Sequence, residues 1–331
     1  MEVFIFHNNP NHIHLSTMKI LKWTFIFTVV FVLNSAAQVT KSTDVSLKSY
    51  KGGILYRIYN PSKKSKISQG DFLMLSGYQI DPEGKIIFST YKAGRSAMIY
   101  CENSKNRGDL FSVLTLLSEG DSAIIKLNLD TLRKYSDIKS DIYSVSRNNY
   151  ITYNLKVEKV ISKGSLTKEE FDEKVQAFVD EENQKAKNSE AGDIERYIMK
   201  KKISPSKTPS GLYYIVHKQG EGSRAKVGDT VVVNYTGRYL SGAVFDTSIE
   251  MVAHTEAAFN KGRYYSPVVM PVGSGKFISG FDESLFLIPE GSIYTVIVPS
   301  KLAFDSKGDD NVPPYTPLIF EIELIEVRPK K

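Results

Sequence analysis

The sequence predicts an α+β chain of two related halves, each an antiparallel sheet with one short helix, joined by a helical linker. Three observations carry this reading. Landmarks recur in the same order: Gly53-Ile54-Leu55-Tyr56 stands to Gly70-Asp71 as Gly211-Leu212-Tyr213-Tyr214 stands to Gly228-Asp229, and Glu119-Gly120-Asp121 is mirrored by Glu290-Gly291-Ser292. Recurrence at so long a range means duplicated domains rather than a solenoid, whose units are shorter and more numerous. Val231 to Tyr235, Tyr294 to Val298 and Leu318 to Val327 have the β-branched and aromatic character of half-buried strands, and Tyr153 to Val160 mirrors Phe320 to Val327. Gly280 to Leu287 leaves room for only two helical turns, and such a mixture of strands with a short helix is an α+β pattern.

The 331-residue chain opens on a segment unlike the rest. Met18-Lys19-Ile20-Leu21-Lys22 is basic, Trp23 to Leu33 is apolar, and Ser35-Ala36-Ala37 supplies small residues before Gln38. That is the order of a secretory signal. Residues 1–37 are therefore expected to be an upstream extension plus a signal cleaved before Gln38, with the remainder exported to the periplasm or cell envelope. The apolar run of about a dozen residues is short beside the roughly twenty that a membrane span takes, so membrane attachment is expected only if the signal stays uncleaved. Cys101 is the only cysteine, so no intrachain disulfide forms and packed apolar side chains hold the fold. The formal charge of +6 is spread along the chain rather than gathered in a block, which argues against a nucleic-acid partner.

Residues 38–164 form the first domain, 165–202 the linker and 203–331 the second domain. In the linker, Thr167-x-x-Glu170 reads as a capping box, followed by Phe171, Val175, Phe178 and Val179 at helical spacing from Ser165 to Lys187. A second helical stretch is expected from about Glu190 to Lys201. The apolar stripe is expected to dock on a flanking domain. Pro205 and Pro209, set among polar residues, mark the approach to the second domain.

Val233-Asn234-Tyr235-Thr236-Gly237 followed by Ser241-Gly242-Ala243-Val244-Phe245-Asp246-Thr247-Ser248 resembles the FKBP-type peptidyl-prolyl isomerases. The resemblance implies two FKBP-like domains, in each of which an antiparallel sheet wraps a short helix. It also implies a reaction needing no metal, cofactor or nucleophile, only an apolar pocket for a proline ring. Tyr235 and Phe245 would be walls, Asp246 a rim carboxylate, Ile278 a backbone N–H donor and Phe281 the pocket floor, where the family often has tryptophan. Phe304 stands where the family usually presents a tyrosine hydroxyl. Val268, Phe277, Val312 and Phe320 complete the substrate-binding set, with Val312-Pro313-Pro314 as a flap tip. The implied partners are X-Pro segments of unfolded or partly folded proteins, and a macrolide inhibitor.

In the first domain, Ser76-Gly77-Tyr78 replaces Asn-Tyr-Thr, Phe88-Ser89 replaces Phe-Asp, and Asp109-Leu110 replaces Gly-Phe. Its pocket is expected to be lost, leaving a degenerate repeat for dimerisation, client binding, docking to the envelope or stabilisation of its partner domain. Loss of the Phe304 hydroxyl leaves open a catalytically weak binding protein or holdase as the alternative function. Ile249 to Tyr265 is a long loop expected to pack on its own domain. Gly273-Ser274-Gly275-Lys276 lacks both the first glycine and the Ser or Thr of a phosphate loop, which excludes nucleotide binding. His217 and His254 are too few for a metal site.

Overall fold

The computed structural model describes residues 46–104, 108–135, 149–256, 262–275, 277–309 and 311–330, and the expected signal region lies outside them. The chain divides into two units, with the boundary between Val179 and Asp180.

The first unit contains β1 (Lys48–Tyr50), β2 (Ile54–Tyr59), β3 (Phe72–Ile80), β4 (Ile86–Ser89), β5 (Ala97–Tyr100), β6 (Ser122–Asn128) and β7 (Tyr150–Ile161). They pair in the order β1-β2-β6-β7-β3-β4, with β5 also on β3. Helices α1 (Thr90–Ala93), α2 (Leu110–Leu114) and α3 (Leu129–Tyr135) connect them. One face of the sheet buries Leu73, Leu75, Ile125, Leu155 and Val157 against Val113, Leu114 and Leu117. Alternation along β6, with Ala123, Ile125 and Leu127 buried and their neighbours half-exposed, is the period-two pattern that one buried face requires. Cys101 lies fully buried in this core, and burial pushes its thiol up to about 11, so it is an unreactive packing residue.

The second unit repeats the plan. Its strands are β8 (Ser206–Lys207), β9 (Tyr213–Lys218), β10 (Thr230–Tyr239), β11 (Val244–Thr247), β12 (Val268–Pro271), β13 (Ile293–Val298) and β14 (Leu318–Arg328). They pair in the order β11-β10-β14-β13-β9-β8, with β12 also on β10. Read from the other edge, this is the order of the first unit, strand for strand. The polar landmarks of the repeat do the same work in each. Asp71 accepts from Ser68 N and Lys163 N, and Asp229 from Lys226 N and Lys330 N. Glu119 accepts from Val160 N at 3.0 Å, and Glu290 from Val327 N at 2.8 Å. Each carboxylate satisfies backbone N–H groups, the aspartates at turns and the glutamates near the end of β7 or β14, which explains why these residues recur when most others have diverged. Helices α5 (Glu250–Thr255) and α6 (Ser279–Leu287) complete the unit.

The two helical stretches expected in the linker are one helix, α4 (Lys168–Lys201). The capping box forms, with Thr167 N on Glu170 Oε2 at 2.9 Å and Glu170 N on Thr167 Oγ1 at 3.2 Å. Phe171 and Val175 bury against Phe72, with Phe178 and Val179 packed alongside. Ile194 buries with Ile297 and Ile319, flanked by Tyr197 and Ile198. The helix thus has two short apolar patches, one in each unit, separated by a charged stretch from Asp180 to Asp193. That stretch reads as a break in the apolar pattern, but ion pairs at helical spacing such as Lys185 with Glu181 and Glu182 keep it helical.

Candidate functional site

The site begins with the alternation of β10. Tyr235, Gly237 and Tyr239 face the same side, opposite Ile322, Phe320 and Leu318 of β14. Strand β11 then slips register: Gly237 pairs with Asp246 but Arg238 pairs with Val244, leaving Phe245 as the extra residue of a bulge. The bulge turns the Phe245 ring over Gly237. A Cβ at position 237 would lie 2.6 Å from Phe245 Cζ, so only glycine leaves room for the ring.

Helix α6 carries the next ring. Gly280 lets it approach β13, since a Cβ there would meet Val298 Cγ1 at 2.5 Å. The next residue, Phe281, is fully buried, with its ring edge-on to Phe320 at 5.3 Å and to Tyr235 at 5.8 Å. Phe277 stacks on Phe281 at 5.1 Å. Phe320 also meets Phe245 at 5.8 Å and Tyr235 at 6.3 Å, so it is the ring on which the other three converge. Such edge-on pairs are the preferred aromatic geometry.

One polar network sits beside these rings. The Tyr235 hydroxyl donates to Asp246 Oδ2 and accepts from Arg263 Nη2 at 3.2 Å, while Arg263 Nη1 pairs with Asp246 Oδ1. Thr247 N donates to Asp246 Oδ1 at 2.9 Å. Burial, with the Asp246 charge second, pushes the Tyr235 phenol well above its ordinary range, so it stays a neutral donor. Ile278 caps α6: its carbonyl accepts from Phe281 N and Asp282 N at 3.0 and 3.1 Å. Among the described residues its own N–H has no acceptor.

The expected residues fall into two groups. Tyr235, Phe245, Asp246, Phe277, Phe281 and Phe320 form one connected set, with Ile278 at the start of the helix that carries Phe281. Val268 is half-buried at the start of β12, opposite Val233. Val312 is buried in the flap, its N–H and carbonyl both bonded to Asp309. Phe304 is half-buried on the turn after the 3-10 helix Ser300–Leu302.

Two members of the site are absent from the sequence reading. Tyr239 packs on Phe245 at 5.3 Å and its hydroxyl donates to the Asn311 carbonyl, holding the flap tip to β10. Counting in twos from Tyr235 along the strand would have found it. Arg263 lies in the long loop from Ile249 to Tyr265, and no spacing rule points to it. Within that loop Met251 is exposed, while Ala257, Ala258 and Phe259 lie outside the described residues.

The first unit corrects one expectation. Its β4 slips register as β11 does, with Gln79 opposite Phe88 and Ile80 opposite Ile86. Phe88 therefore stands at the position of Asp246, not of Phe245, whose counterpart is the bulged Ile87. Gly77 replaces the tyrosine and Phe88 the carboxylate, and what remains is a small hollow of about 30 Å³ among Leu75, Gly77, Phe88, Leu110, Tyr153 and Leu155, with no counterpart of the Tyr235–Asp246 pair.

The sequence of the second unit matches the model of one family, FKBP-type peptidyl-prolyl cis-trans isomerase, over residues 221–325. Residues 221–325 of the second unit are thus FKBP-like in sequence. Among relatives, the chain is 38% identical over 128 residues to the FKBP-type 22 kDa peptidyl-prolyl cis-trans isomerase of Escherichia coli K12, covering 38% of this chain and 55% of the relative. It is 30% identical over 178 residues to the FKBP-type isomerase FkpA of the same organism, covering 50% of this chain and 60% of FkpA. The chain thus spans little more than half the length of these relatives. The crystal structure of Escherichia coli FkpA aligns at 28% identity with a TM-score of 0.37, over 50% of this chain and 74% of that one.

Proposed function

We propose that the FKBP-type unit catalyses cis–trans isomerisation of X-Pro bonds in unfolded or partly folded proteins exported with it to the periplasm or cell envelope. The observation that carries this is the convergence of Tyr235, Phe245, Phe281 and Phe320 beside a satisfied Tyr235–Asp246–Arg263 network.

The chemistry asks for little else. Rotation about an amide must cross about 18–20 kcal/mol, and uncatalysed X-Pro isomerisation takes tens to hundreds of seconds. Water favours the planar, polar ground state. A cleft of aromatic edges removes that hydration and favours the twisted bond, which is differential binding of the transition state without covalent chemistry. In this reading Phe281 is the floor under the pyrrolidine, while Tyr235 and Phe245 are its walls. The Ile278 N–H donates to a substrate carbonyl. Arg263 and Thr247 N fix Asp246 so that its carboxylate and the Tyr235 hydroxyl present one unchanging polar edge to the peptide. Phe304 cannot donate. A neutral hydrogen bond of about 0.5–1.5 kcal/mol is lost there, a factor of roughly ten at most.

Exchange NMR on an X-Pro tetrapeptide tests the proposal. The full chain should accelerate interconversion, and Phe281→Ala should abolish the acceleration. A full chain that leaves the exchange rate at its uncatalysed value would refute the activity.

A further inference from the structure

We infer that Glu190 of helix α4 is a positioning residue for the pocket floor, acting through the 3-10 helix Ser300–Leu302; this rests on the isomerase reading of the site. Glu190 is half-buried and lies on the part of α4 that belongs to the second unit. Its carboxylate accepts two hydrogen bonds from a single residue, one from Ser300 N and one from Ser300 Oγ at 2.6 Å. Ser300 is buried, and Pro299 before it brings no N–H of its own to the start of the short helix. The free N–H at that start must be satisfied by a neighbour. Here the neighbour comes from the linker, 110 positions earlier in the chain.

The contacts continue from Ser300 to the floor. The Ser300 carbonyl accepts from Ala303 N and Asp305 N at 2.8 and 2.9 Å, which fixes the turn bearing Phe304. At the other end of the 3-10 helix, the Leu302 carbonyl accepts from Ser279 Oγ at 3.2 Å. Ser279 is the first residue of α6, placed between Ile278 and Gly280. Leu302 Cβ and its carbonyl both stand 3.2 Å from where a Cβ at Gly280 would be, so the 3-10 helix lies directly on the first turn of α6. That turn carries the Ile278 N–H and the Phe281 ring. One further contact of α4 reinforces the placement: Lys187 sits over the Tyr315 ring at 5.7 Å, and Tyr315 N in turn donates to the Asp305 carbonyl at 2.7 Å. The linker helix is therefore a brace for the site as well as a spacer.

The test compares four full-length chains: unmodified, Glu190→Ala, Glu190→Gln and Glu195→Ala. Glu195 is an exposed residue of the same helix and serves as the charge-loss control. Two readouts are taken, kcat and KM for an X-Pro peptide, and the amide resonances of Ser300, Leu302, Ile278 and Phe281. Glu190→Ala should lower kcat about three- to tenfold, the scale of one to two lost charge-assisted hydrogen bonds partly replaced by water, with KM changed less than about twofold. The resonances of Ile278 and Phe281 should move together with those of Ser300 and Leu302. Glu190→Gln, which keeps an acceptor, should fall between the unmodified chain and Glu190→Ala in both readouts, and Glu195→Ala should match the unmodified chain. If the Ser300 amide moves while Ile278 and Phe281 stay fixed, the brace does not reach the floor and the inference is overturned. Should the unmodified chain show no isomerase activity, the functional reading fails by itself, and the resonances still decide whether Glu190 positions the floor. If Glu190→Ala does not fold, the same comparison is made on Glu190→Gln.

Discussion

Replacing Arg263 by methionine keeps the aliphatic stem and removes the ion pair to Asp246, the hydrogen bond to the Tyr235 hydroxyl and the guanidinium's contact with the Tyr265 ring at 5.4 Å. The side chains of Arg263 and Asp246 are 38% and 25% exposed, so the pair is neither a surface pair nor a buried one. Exposed pairs contribute about 0–1 kcal/mol, and hydrogen bonds to charged groups about 1.5–3 kcal/mol when shielded. Partial exposure places Arg263→Met between these limits, at about 1–2 kcal/mol of lost stability. Asp246→Asn alone removes the charge but keeps an acceptor for Thr247 N. If Arg263 acts through Asp246, the double variant loses less than the sum of the single losses, with a coupling of about 1 kcal/mol or more. Urea unfolding followed at the amides of Val296 and Ile322 reports on the second unit alone, and the same four proteins are assayed on an X-Pro peptide. Single losses that add to within about 0.5 kcal/mol would refute the network.

Gly237→Ala should cost about 1–3 kcal/mol, the price of an overpacked core, because its Cβ would lie 2.6 Å from Phe245 Cζ; displaced Phe245 ring resonances with an unchanged strand β14 would check this. Burial raises the Asp282 carboxyl above its ordinary range, and its Oδ1 is buried without a partner among the described residues. The unfolded chain then releases that proton first, at about pH 4, so this group's contribution to stability is full below that pH and declines as pH rises toward the native value. Urea unfolding from acid to neutral pH should accordingly show Asp282→Asn gaining on the unmodified protein as pH rises, and a constant difference would contradict the assignment. Asn188→Pro in the charged stretch of α4 should cost about 3 kcal/mol or more and reduce the circular dichroism helix signal, whereas a hinge between two helices would accept it.

Much of the fold was legible because its signals are local and repeated. The Gly-Asp and Glu-Gly pairs recur because Asp71, Asp229, Glu119 and Glu290 each hold backbone donors that no apolar residue can satisfy. The place of the Phe281 ring could be read from Gly280-Phe281, where a helix approaches a strand too closely for any larger residue at the first position. What the sequence concealed depends on register and on reach. Phe88 looks like the counterpart of Phe245 by residue type, whereas the register, bulged alike in both strands, sets it against Asp246. Arg263 reaches Asp246 from 17 positions away across a loop, a distance fixed by tertiary packing and by no period of the chain. The continuity of α4 was hidden for a different reason: its middle has no apolar stripe, and exposed ion pairs between neighbouring turns leave only a weak mark in a sequence.

The central claim is that the ring cluster of Tyr235, Phe245, Phe281 and Phe320 receives the proline ring. Intermolecular nuclear Overhauser contacts between an X-Pro peptide and the selectively labelled full chain measure this directly. The account predicts contacts from the pyrrolidine protons to the Phe281 and Tyr235 rings; contacts that fall only on other surfaces of the protein, with those rings silent, would contradict it.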